Sequence, residues 1–304
     1  MGIRFGLFAD LHSSLPGQPE RGSSLRTAED LKKALGRFRA AGCSFAVSLG
    51  DNTQPSSTAA EQFEQMKSLA ESWNGYGFPV HLVPGNHEFQ QLTPDEIRAI
   101  TGRDRLYYDF RIGDVRFVML DTAYRPDGVH YSRDNFDWRF SVVPEEETAW
   151  LKDLLAEPVR TFVFAHCNLF FAPGEAEAAW YQVQNHREIR AILEGSGCVE
   201  AVFQGHEHVF RSLETGGIRY VTVPSPERDP EYRENTFPVV EILDEGFRYN
   251  GGRLRQRSAK MQKERTVHFG GSSVFGSARQ RITAGRNDRF RRCRNRRPGR
   301  RNRP

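Results

Sequence analysis

The chain has 304 residues, of which 38% are hydrophobic, so it is long and apolar enough to bury a sizeable core. Its net charge of +4 hides an uneven distribution, because residues 1–250 carry 25 Lys and Arg against 37 Asp and Glu, whereas residues 251–304 carry 18 against 2. The basic balance therefore belongs to the tail and does not indicate nucleic-acid binding by the body of the chain.

Segments with strand-like and helix-like periodicity alternate through the first part of the chain. The pattern predicts strands at Ile3–Ala9, Phe45–Leu49 and Val80–Val83, separated by amphipathic helices at Leu25–Ala41 and Thr58–Trp73. Alternation of this kind implies crossover connections and a largely parallel sheet.

Hairpins join the pattern after a short helix predicted near Pro94–Ile100. The elements predicted beyond it are a hairpin of Leu106–Ile112 and Val115–Asp121, a long loop at Ala123–Val143, helices at Pro144–Ala156 and Val183–Leu193, and strands at Thr161–Ala165, Val199–Phe203, Val209–Glu214, Ile218–Val223, Val239–Leu243 and Phe247–Asn250. The hairpins predict a second sheet packed on the first, with helices outside.

The periodicity stops at about Arg253, where Arg, Gly, Ser and Asn become dominant. A segment of low hydrophobicity and high like charge cannot bury enough surface to fold. We therefore predict one domain over residues 1–252 and a basic, Arg-rich, disordered tail over residues 253–304. The tail is either a solvated end or an arm that binds polyanions such as nucleic acid or an acidic membrane.

The four cysteines are widely spaced, which argues against a disulfide framework and favours a cytoplasmic location. No apolar run approaches the ~20 residues of a membrane span, so we expect no membrane insertion. The sequence does not indicate an oligomeric state.

Five short polar motifs follow predicted strands. In chain order they are Asp10-Leu11-His12, Gly50-Asp51, Gly85-Asn86-His87-Glu88, His166 and Gly205-His206-Glu207-His208. Ligands of open α/β sheets bind outside the carboxyl ends of the strands. The motifs therefore predict one site that contains two carboxylates, an amide oxygen and five imidazoles.

Asp10 and His12 are two residues apart, and such residues point to the same face of an extended strand, so both can reach one ion. An oxygen and an imidazole nitrogen together suit Mn, Fe or Zn better than Ca or Mg. The Asp51 carboxylate could bridge two cations about 3.5–4 Å apart. A chance Asp-x-His pair and an Asp51 that merely caps a turn or helix are the alternatives.

The third motif offers three different functional groups. Asn86 supplies a neutral amide oxygen as a ligand, and His87 can point into the site as a proton donor without binding metal. Glu88 is expected to orient a neighbouring group. A solvent-exposed loop is the alternative for all three residues.

The remaining imidazoles lie in the second half of the chain. His166 ends a buried strand, where a packed core histidine is the alternative to a ligand. His206 and His208 are two residues apart in a segment predicted to be extended, so their rings project to one side. A pair of surface histidines is the alternative here.

In this order, the motifs resemble those of the calcineurin-like metallophosphoesterase superfamily, which has Asp-x-His, Gly-Asp, Gly-Asn-His-(Asp/Glu), a lone His and Gly-His-x-His. The resemblance spans about residues 3–224. It implies an α/β fold, a four-layer α-β-β-α sandwich of two mixed β-sheets flanked by helices. The chain departs from many relatives at Cys167-Asn168, since they have a proline shortly after the lone histidine.

The resemblance also implies two divalent ions, of Mn, Fe or Zn. One ion would be held by Asp10, His12, Asp51 and His208. The second would be held by Asp51, Asn86, His166 and His206. Asp51 is then the bridging catalytic carboxylate, and His87 is the general acid.

The activity implied is that of a metal-dependent phosphoesterase. It would hydrolyse a phosphodiester, phosphomonoester or pyrophosphate by in-line attack of a bridging hydroxide. The start of the chain favours the branch of cyclic-nucleotide phosphodiesterases and ADP-ribose or CDP-alcohol pyrophosphatases, whose partners are small phosphorylated compounds such as nucleotides. The alternatives are a nuclease that uses the basic tail, and a non-catalytic metal-binding scaffold.

The substrate is expected to be chosen by loops outside the motifs. In Ala123–Val143, an arginine beside aromatic residues could clamp a base and its phosphate. The candidate residues of this loop are Arg125, His130, Tyr131, Arg133, Phe136 and Trp138. The stretch Phe170–Tyr181 is a second candidate wall. An ordinary packed surface loop is the alternative for both.

Overall fold

The computed structural model describes residues 2–13, 24–54, 56, 58–133, 135, 137–171, 178–226, 233–250 and 252–254. The predicted tail lies outside the described residues from 255 onward, so its disorder stays a prediction. No helix within these ranges is both long and apolar enough to cross a membrane.

Within the described residues, twelve strands form two six-stranded sheets. They are β1 (Arg4–Phe8), β2 (Phe45–Ser48), β3 (Val80–Leu82), β4 (Tyr108–Ile112), β5 (Val115–Met119), β6 (Arg160–Ala165), β7 (Val199–Gln204), β8 (Arg211–Thr215), β9 (Ile218–Thr222), β10 (Val239–Ile242), β11 (Phe247–Tyr249) and β12 (Gly252–Leu254). Eleven of these were predicted from the sequence to within a few residues. The twelfth, β12, follows the point where the periodicity was expected to stop and pairs with β11.

Both sheets are mixed, as the resemblance implies. The first has the order β12-β11-β10-β1-β2-β3, in which β1, β2 and β3 are parallel and β10 runs antiparallel to β1. The second has the order β4-β5-β6-β7-β9-β8, with a parallel centre and an antiparallel hairpin at each edge.

Helices cover the outer face of each sheet. The described α-helices are α1 (Ser24–Ala40), α2 (Ala59–Trp73), α3 (Pro94–Thr101), α4 (Glu145–Leu155), α5 (Ala178–Tyr181), α6 (His186–Ser196) and α7 (Arg233–Thr236). Side chains of α1, α2 and α3 pack on the first sheet, and those of α4 and α6 pack on the second. Capping boxes at Thr58 and Thr93 begin α2 and α3. The predicted four-layer α-β-β-α sandwich is confirmed.

The core between the two sheets is rich in phenylalanine. Phe5 of β1 lies at its centre and stacks on Phe45 of β2 with ring centroids 5.0 Å apart. Rings from the second sheet meet Phe5 edge-on at 5.7–6.3 Å, and they belong to Phe117, Phe162, Phe164 and Phe203. One side chain thus contacts rings of both sheets.

Replacing Phe5 by alanine should therefore destabilise the whole fold. We expect Phe5→Ala to lower the free energy of unfolding by about 3–5 kcal/mol, since a fully buried ring leaves a cavity. Urea denaturation followed by circular dichroism measures this loss. Phe140→Ala is the matched control, because Phe140 is 43% exposed; equal losses in the two variants would contradict the central role of Phe5.

Candidate metal centre

The polar motifs leave their strands with an unusual backbone. Non-glycine residues with a left-handed φ include Asp10 (52°), His12 (45°), Asp51 (53°), His206 (68°) and His208 (66°). The expectation that the Asp10/His12 and His206/His208 pairs project from extended strands is therefore wrong. Each pair lies just past a strand end, where the chain turns sharply at a cost of about 1–3 kcal/mol for each left-handed residue.

Backbone hydrogen bonds between the loops hold these turns. The Asp10 N–H donates to the Gly50 carbonyl at 2.9 Å, and the His12 N–H donates to the Asp51 carbonyl at 2.9 Å. The His206 N–H donates to the Asp10 carboxylate at 3.0 Å. These hydrogen bonds thus join the loops that follow β1, β2 and β7 to one another.

A buried carboxylate fixes the loops after β2 and β3. Glu88 accepts hydrogen bonds from the N–H groups of Asp51 at 2.9 Å, Asn52 at 2.6 Å and Gly85 at 2.8 Å. Burial and the nearby Asp51 charge raise the pKa of Glu88, whereas these N–H groups favour its ionised form. Glu88 therefore organises the backbone of its neighbours, as the sequence indicated.

Two glycines allow the same loops to touch. A Cβ atom on Gly85 would lie 2.3 Å from Asp51 Oδ1, and one on Gly50 would lie 2.4 Å from the Gly85 nitrogen. Gly50 also has a φ of 94°, which favours glycine. The glycine in each motif therefore permits close backbone approach beside the polar side chains.

One group of donor atoms brings together Asp10, His12, Asp51 and His208, whose ligand atoms all lie within 4.8 Å of one another. His12 Nε2 is 3.0 Å from His208 Nε2, which in turn is 3.4 Å from Asp10 Oδ1. Burial lowers the pKa of His12 to about 4, so its ring is neutral at neutral pH and keeps a free lone pair. This is the same set that the resemblance implies for the first ion.

A second group converges on His166. Its Nε2 lies 2.9 Å from Asn86 Oδ1, 3.2 Å from His206 Nδ1 and 3.4 Å from Asp51 Oδ2. The Nδ1 of His166 faces the Leu49 carbonyl at 2.7 Å, so in the neutral ring the lone pair is on Nε2. Burial lowers the pKa of His206 to about 3. Two imidazoles, an amide oxygen and a carboxylate oxygen thus face one another.

The charge of these groups fits cations. Although burial opposes ionisation, His166 and His87 hold the pKa of the Asp51 carboxyl well below its usual range. Burial lowers the pKa of His166, but the charge of Asp51 outweighs it and raises this pKa well above its usual range. A proton and a cation would therefore compete for His166 Nε2, and a divalent ion binds such N and O donors in the neutral-imidazole form.

The two oxygens of Asp51 have different surroundings. Oδ1 accepts a hydrogen bond from the His87 N–H at 2.7 Å and packs against Gly85. Oδ2 is the atom that lies 3.4 Å from His166 Nε2 and 3.9 Å from His87 Nε2. Oδ1 thus bonds to the backbone of the neighbouring loop, whereas Oδ2 faces the imidazoles of His166 and His87.

His87 belongs to neither donor group. Its ring meets that of His12 edge-on with centroids 4.6 Å apart, and its side chain is 26% exposed. The Gln62 side chain holds the His87 carbonyl at 2.9 Å. The imidazole lies beside the donor groups and in contact with solvent, where a proton donor would have to be.

Comparison with known proteins identifies the family to which the chain belongs. A family model described as calcineurin-like phosphoesterase matches residues 3–210, which include every predicted ligand and His87. The chain belongs to this family. It is a metal-dependent phosphohydrolase with a dinuclear metal site.

Similar proteins include one relative and several solved structures. The chain is 25% identical, over an alignment of 218 residues that covers 59% of this chain and 67% of the relative, to a manganese-dependent ADP-ribose/CDP-alcohol diphosphatase from Oryza sativa subsp. japonica. A dimetal phosphatase from Danio rerio has a TM-score of 0.64 at 18% identity, covering 84% of this chain and 98% of that one. GAP50, the anchor in the inner membrane complex of Plasmodium, has a TM-score of 0.54 at 14% identity, covering 85% and 90%. The two structures show the shared fold alone.

Cys167 stands beside the family's lone histidine and was not predicted as a ligand. A ligand atom of Cys167 falls within 4.8 Å of those of His166 and His206. Burial raises the pKa of the thiol, and Cys167 packs with the core on the outer face of the second sheet. We therefore assign Cys167 to packing, on the contacts that it makes in this core.

A buried side chain and internal polar contacts hold the loop between β5 and α4 in place. Tyr131 is fully buried in the outer core, and His130 Nε2 lies 2.8 Å from Asp121 Oδ2. Arg125 pairs with Asp127 at 2.6 Å on the exposed part of the loop. The arginine clamp stays a prediction, whereas Trp138 does reach the site, with its ring 5.8 Å from that of His206.

The second candidate wall also contributes to the site of this phosphoesterase. Residues 172–177 of that wall lie outside the described residues. The Tyr181 ring lies 5.2 Å from that of His206. The run Trp180-Tyr181 is the signal in the sequence that marks this segment, and the prediction pointed to the segment without singling out either residue.

The contact between Gly85 and Asp51 can be tested with one methyl group. We expect Gly85→Ala to lower Mn²⁺-dependent hydrolysis of bis-p-nitrophenyl phosphate by about 100-fold, because a shift near 1 Å of a reacting group has an effect of that order. Gly75→Ala is the matched control, since a Cβ there meets nothing within 4 Å. Equal activity of the two variants, each folded by circular dichroism, would refute the close-approach role of Gly85.

Proposed function

We propose that this phosphohydrolase cleaves the pyrophosphate bond of a nucleoside diphosphate derivative, with one divalent ion in each donor group. The observation that carries the proposal is that the two groups share Asp51, so that ions bound there would both touch a single phosphate. The Oryza relative is named for ADP-ribose and CDP-alcohol, and both compounds contain a nucleoside diphosphate.

The ligand assignment forms part of this proposal. One ion would be held by Asp10, His12, Asp51 and His208, and the other by Asp51, Asn86, His166 and His206. Ions in these positions supply a water of lowered pKa and neutralise phosphoryl oxygens. Manganese suits the mixture of imidazole, carboxylate and amide donors, and the name of the Oryza relative supports this choice.

The protein's own residues would position the substrate and the proton. The two carboxylates of Asp10 and Asp51 leave a pair of divalent ions with a net positive charge, which attracts an anionic phosphate. The body of the chain is acidic, so this attraction would be local to the site. His87 would donate a proton to the leaving oxygen, a role that suits an imidazole near neutral pH.

Single substitutions can separate the roles of Asp51 and His87. We expect Asp51→Ala to lose both ions, whereas His87→Ala keeps them and loses 10²–10⁴-fold in rate, by order of magnitude, on poor leaving groups. Nitrophenolate leaves without a proton, so the loss with p-nitrophenyl esters should be smaller. His186→Ala is the control for removing a histidine elsewhere.

Metal content of each purified variant, measured by plasma mass spectrometry, decides between the roles. Loss of metal from His87→Ala would overturn its assignment as the proton donor. Retention of two ions by Asp51→Ala would overturn the shared carboxylate.

A substrate panel tests the ester class. It compares cAMP, ADP-ribose, CDP-choline, p-nitrophenyl phosphate and single-stranded DNA in Mn²⁺. We expect the highest kcat/KM for ADP-ribose or CDP-choline. A preference for DNA would favour the nuclease alternative, which depends on the tail outside the described residues, and a preference for cAMP would favour a cyclic phosphodiesterase.

The cytoplasmic location and the non-catalytic alternative stay predictions from the sequence. A cytoplasmic location rests on the spacing of the cysteines, of which Cys43, Cys167 and Cys198 are free thiols in the structure. A non-catalytic scaffold is the weaker alternative, because all the polar side chains that the chemistry requires are in place and the family match extends over them.

A further inference from the structure

Aromatic side chains meet beside the second donor group. Trp138 and Tyr181 both contact the ring of His206, with centroids 5.8 and 5.2 Å away. Trp180 stands at 90° to Trp138, with centroids 6.4 Å apart. We call Trp138, Trp180 and Tyr181 the aromatic corner. Its rings come from helix α5 and from the loop before α4, and two of them contact a proposed metal ligand.

Trp180 is unusual for its exposure. Its side chain is 57% exposed, although a tryptophan normally contributes 150–250 Å², by order of magnitude, to buried area. The described neighbours of Trp180 therefore leave an aromatic face open toward solvent. A packing role does not account for a large apolar ring left open beside a catalytic centre.

The corner is tied to the ligand loop after β6. The Asn168 N–H donates to the Tyr181 carbonyl at 2.9 Å, and the Val183 N–H donates to the Asn168 carbonyl at 3.0 Å. Asn168 is two residues beyond His166. The position of Trp180 and Tyr181 is thus fixed relative to the donor atoms rather than set by a free loop.

Two described arginines near the corner in the sequence or the fold are paired with carboxylates. Arg139 binds both oxygens of Asp137, at 2.8 and 2.7 Å. Arg211 binds Glu207 at 2.6 Å. The described side chains of the corner itself offer π faces, which suit a flat, uncharged ring system better than a phosphate.

We propose that the aromatic corner stacks the nucleobase of the substrate, with Trp180 as the main platform and Trp138 as the wall. The proposal rests on the proposed function, in which the diphosphate lies at the two donor groups. Only a ribose separates the base of a nucleoside diphosphate from its first phosphate. Trp180 contacts Trp138, whose ring in turn contacts His206, so a base stacked between Trp180 and Trp138 would leave that phosphate near the ions.

The test measures how much the base contributes to binding. Titration calorimetry on the full-length, Mn²⁺-loaded protein gives the affinities of AMP and ribose 5-phosphate, which differ only by the base. We expect the wild type to prefer AMP. Trp180→Ala should lower that preference by about tenfold, in line with stacking on other proteins, and Trp180→Phe should retain most of it.

Trp150→Ala is the matched control, since Trp150 packs on Tyr107 away from the corner, and thermal unfolding verifies that each variant is folded. An unchanged AMP preference in both Trp180→Ala and Trp138→Ala would overturn the proposal. So would an equal loss for AMP and ribose 5-phosphate, because the corner would then act on the phosphate.

The substrate series separates this proposal from the proposed function. If Trp180→Ala impairs CDP-choline but not ADP-ribose, the corner binds a quaternary ammonium group, and base stacking is wrong. If the wild type cleaves neither ADP-ribose nor CDP-choline but still binds AMP more tightly than ribose 5-phosphate, the pyrophosphatase assignment fails and the stacking site stands.

Discussion

The donor groups depend on a backbone that turns into the left-handed region straight after the strands. Asp10, His12, Asp51, His206 and His208 all have this conformation, which is costly for residues other than glycine. An extended continuation would carry these side chains away along the strand directions. The turn lets short side chains from β1, β2 and β7 meet above the sheet ends, and hydrogen bonds between neighbouring loops maintain it.

The two buried carboxylates, Glu88 and Asp51, have different roles. Three backbone N–H groups donate hydrogen bonds to the Glu88 carboxylate, so it has little capacity left to bind an ion. Asp51 uses one oxygen for a backbone N–H and presents the other to imidazoles on both sides. Because Asp51 raises the pKa of Glu88, positive charge at the donor groups would also relieve the repulsion between the two carboxylates.

Most of the strands could be predicted from the sequence because their apolar runs are short and bounded by turn residues, and the donor residues could be predicted because they follow those runs. The left-handed turns could not be predicted, because a spacing of two residues is equally compatible with an extended strand. The pairing of Arg125 with Asp127 and the burial of Tyr131 depend on contacts within the folded loop. These contacts occupy Arg125 within the loop, whereas Trp138 reaches the ring of His206.

The donor groups and the aromatic corner lie on different parts of the fold. The donor atoms lie at the ends of strands that share a phenylalanine core, so a change there disturbs several loops at once. The aromatic corner instead sits on the short helix α5 and the loop before α4, and it meets the donor groups through Asn168 and the ring of His206. Substitutions in the corner can therefore alter what stands beside the phosphate while the hydrogen bonds that hold the ligands stay intact. A selectivity element with this arrangement can diverge among relatives that keep the same five motifs.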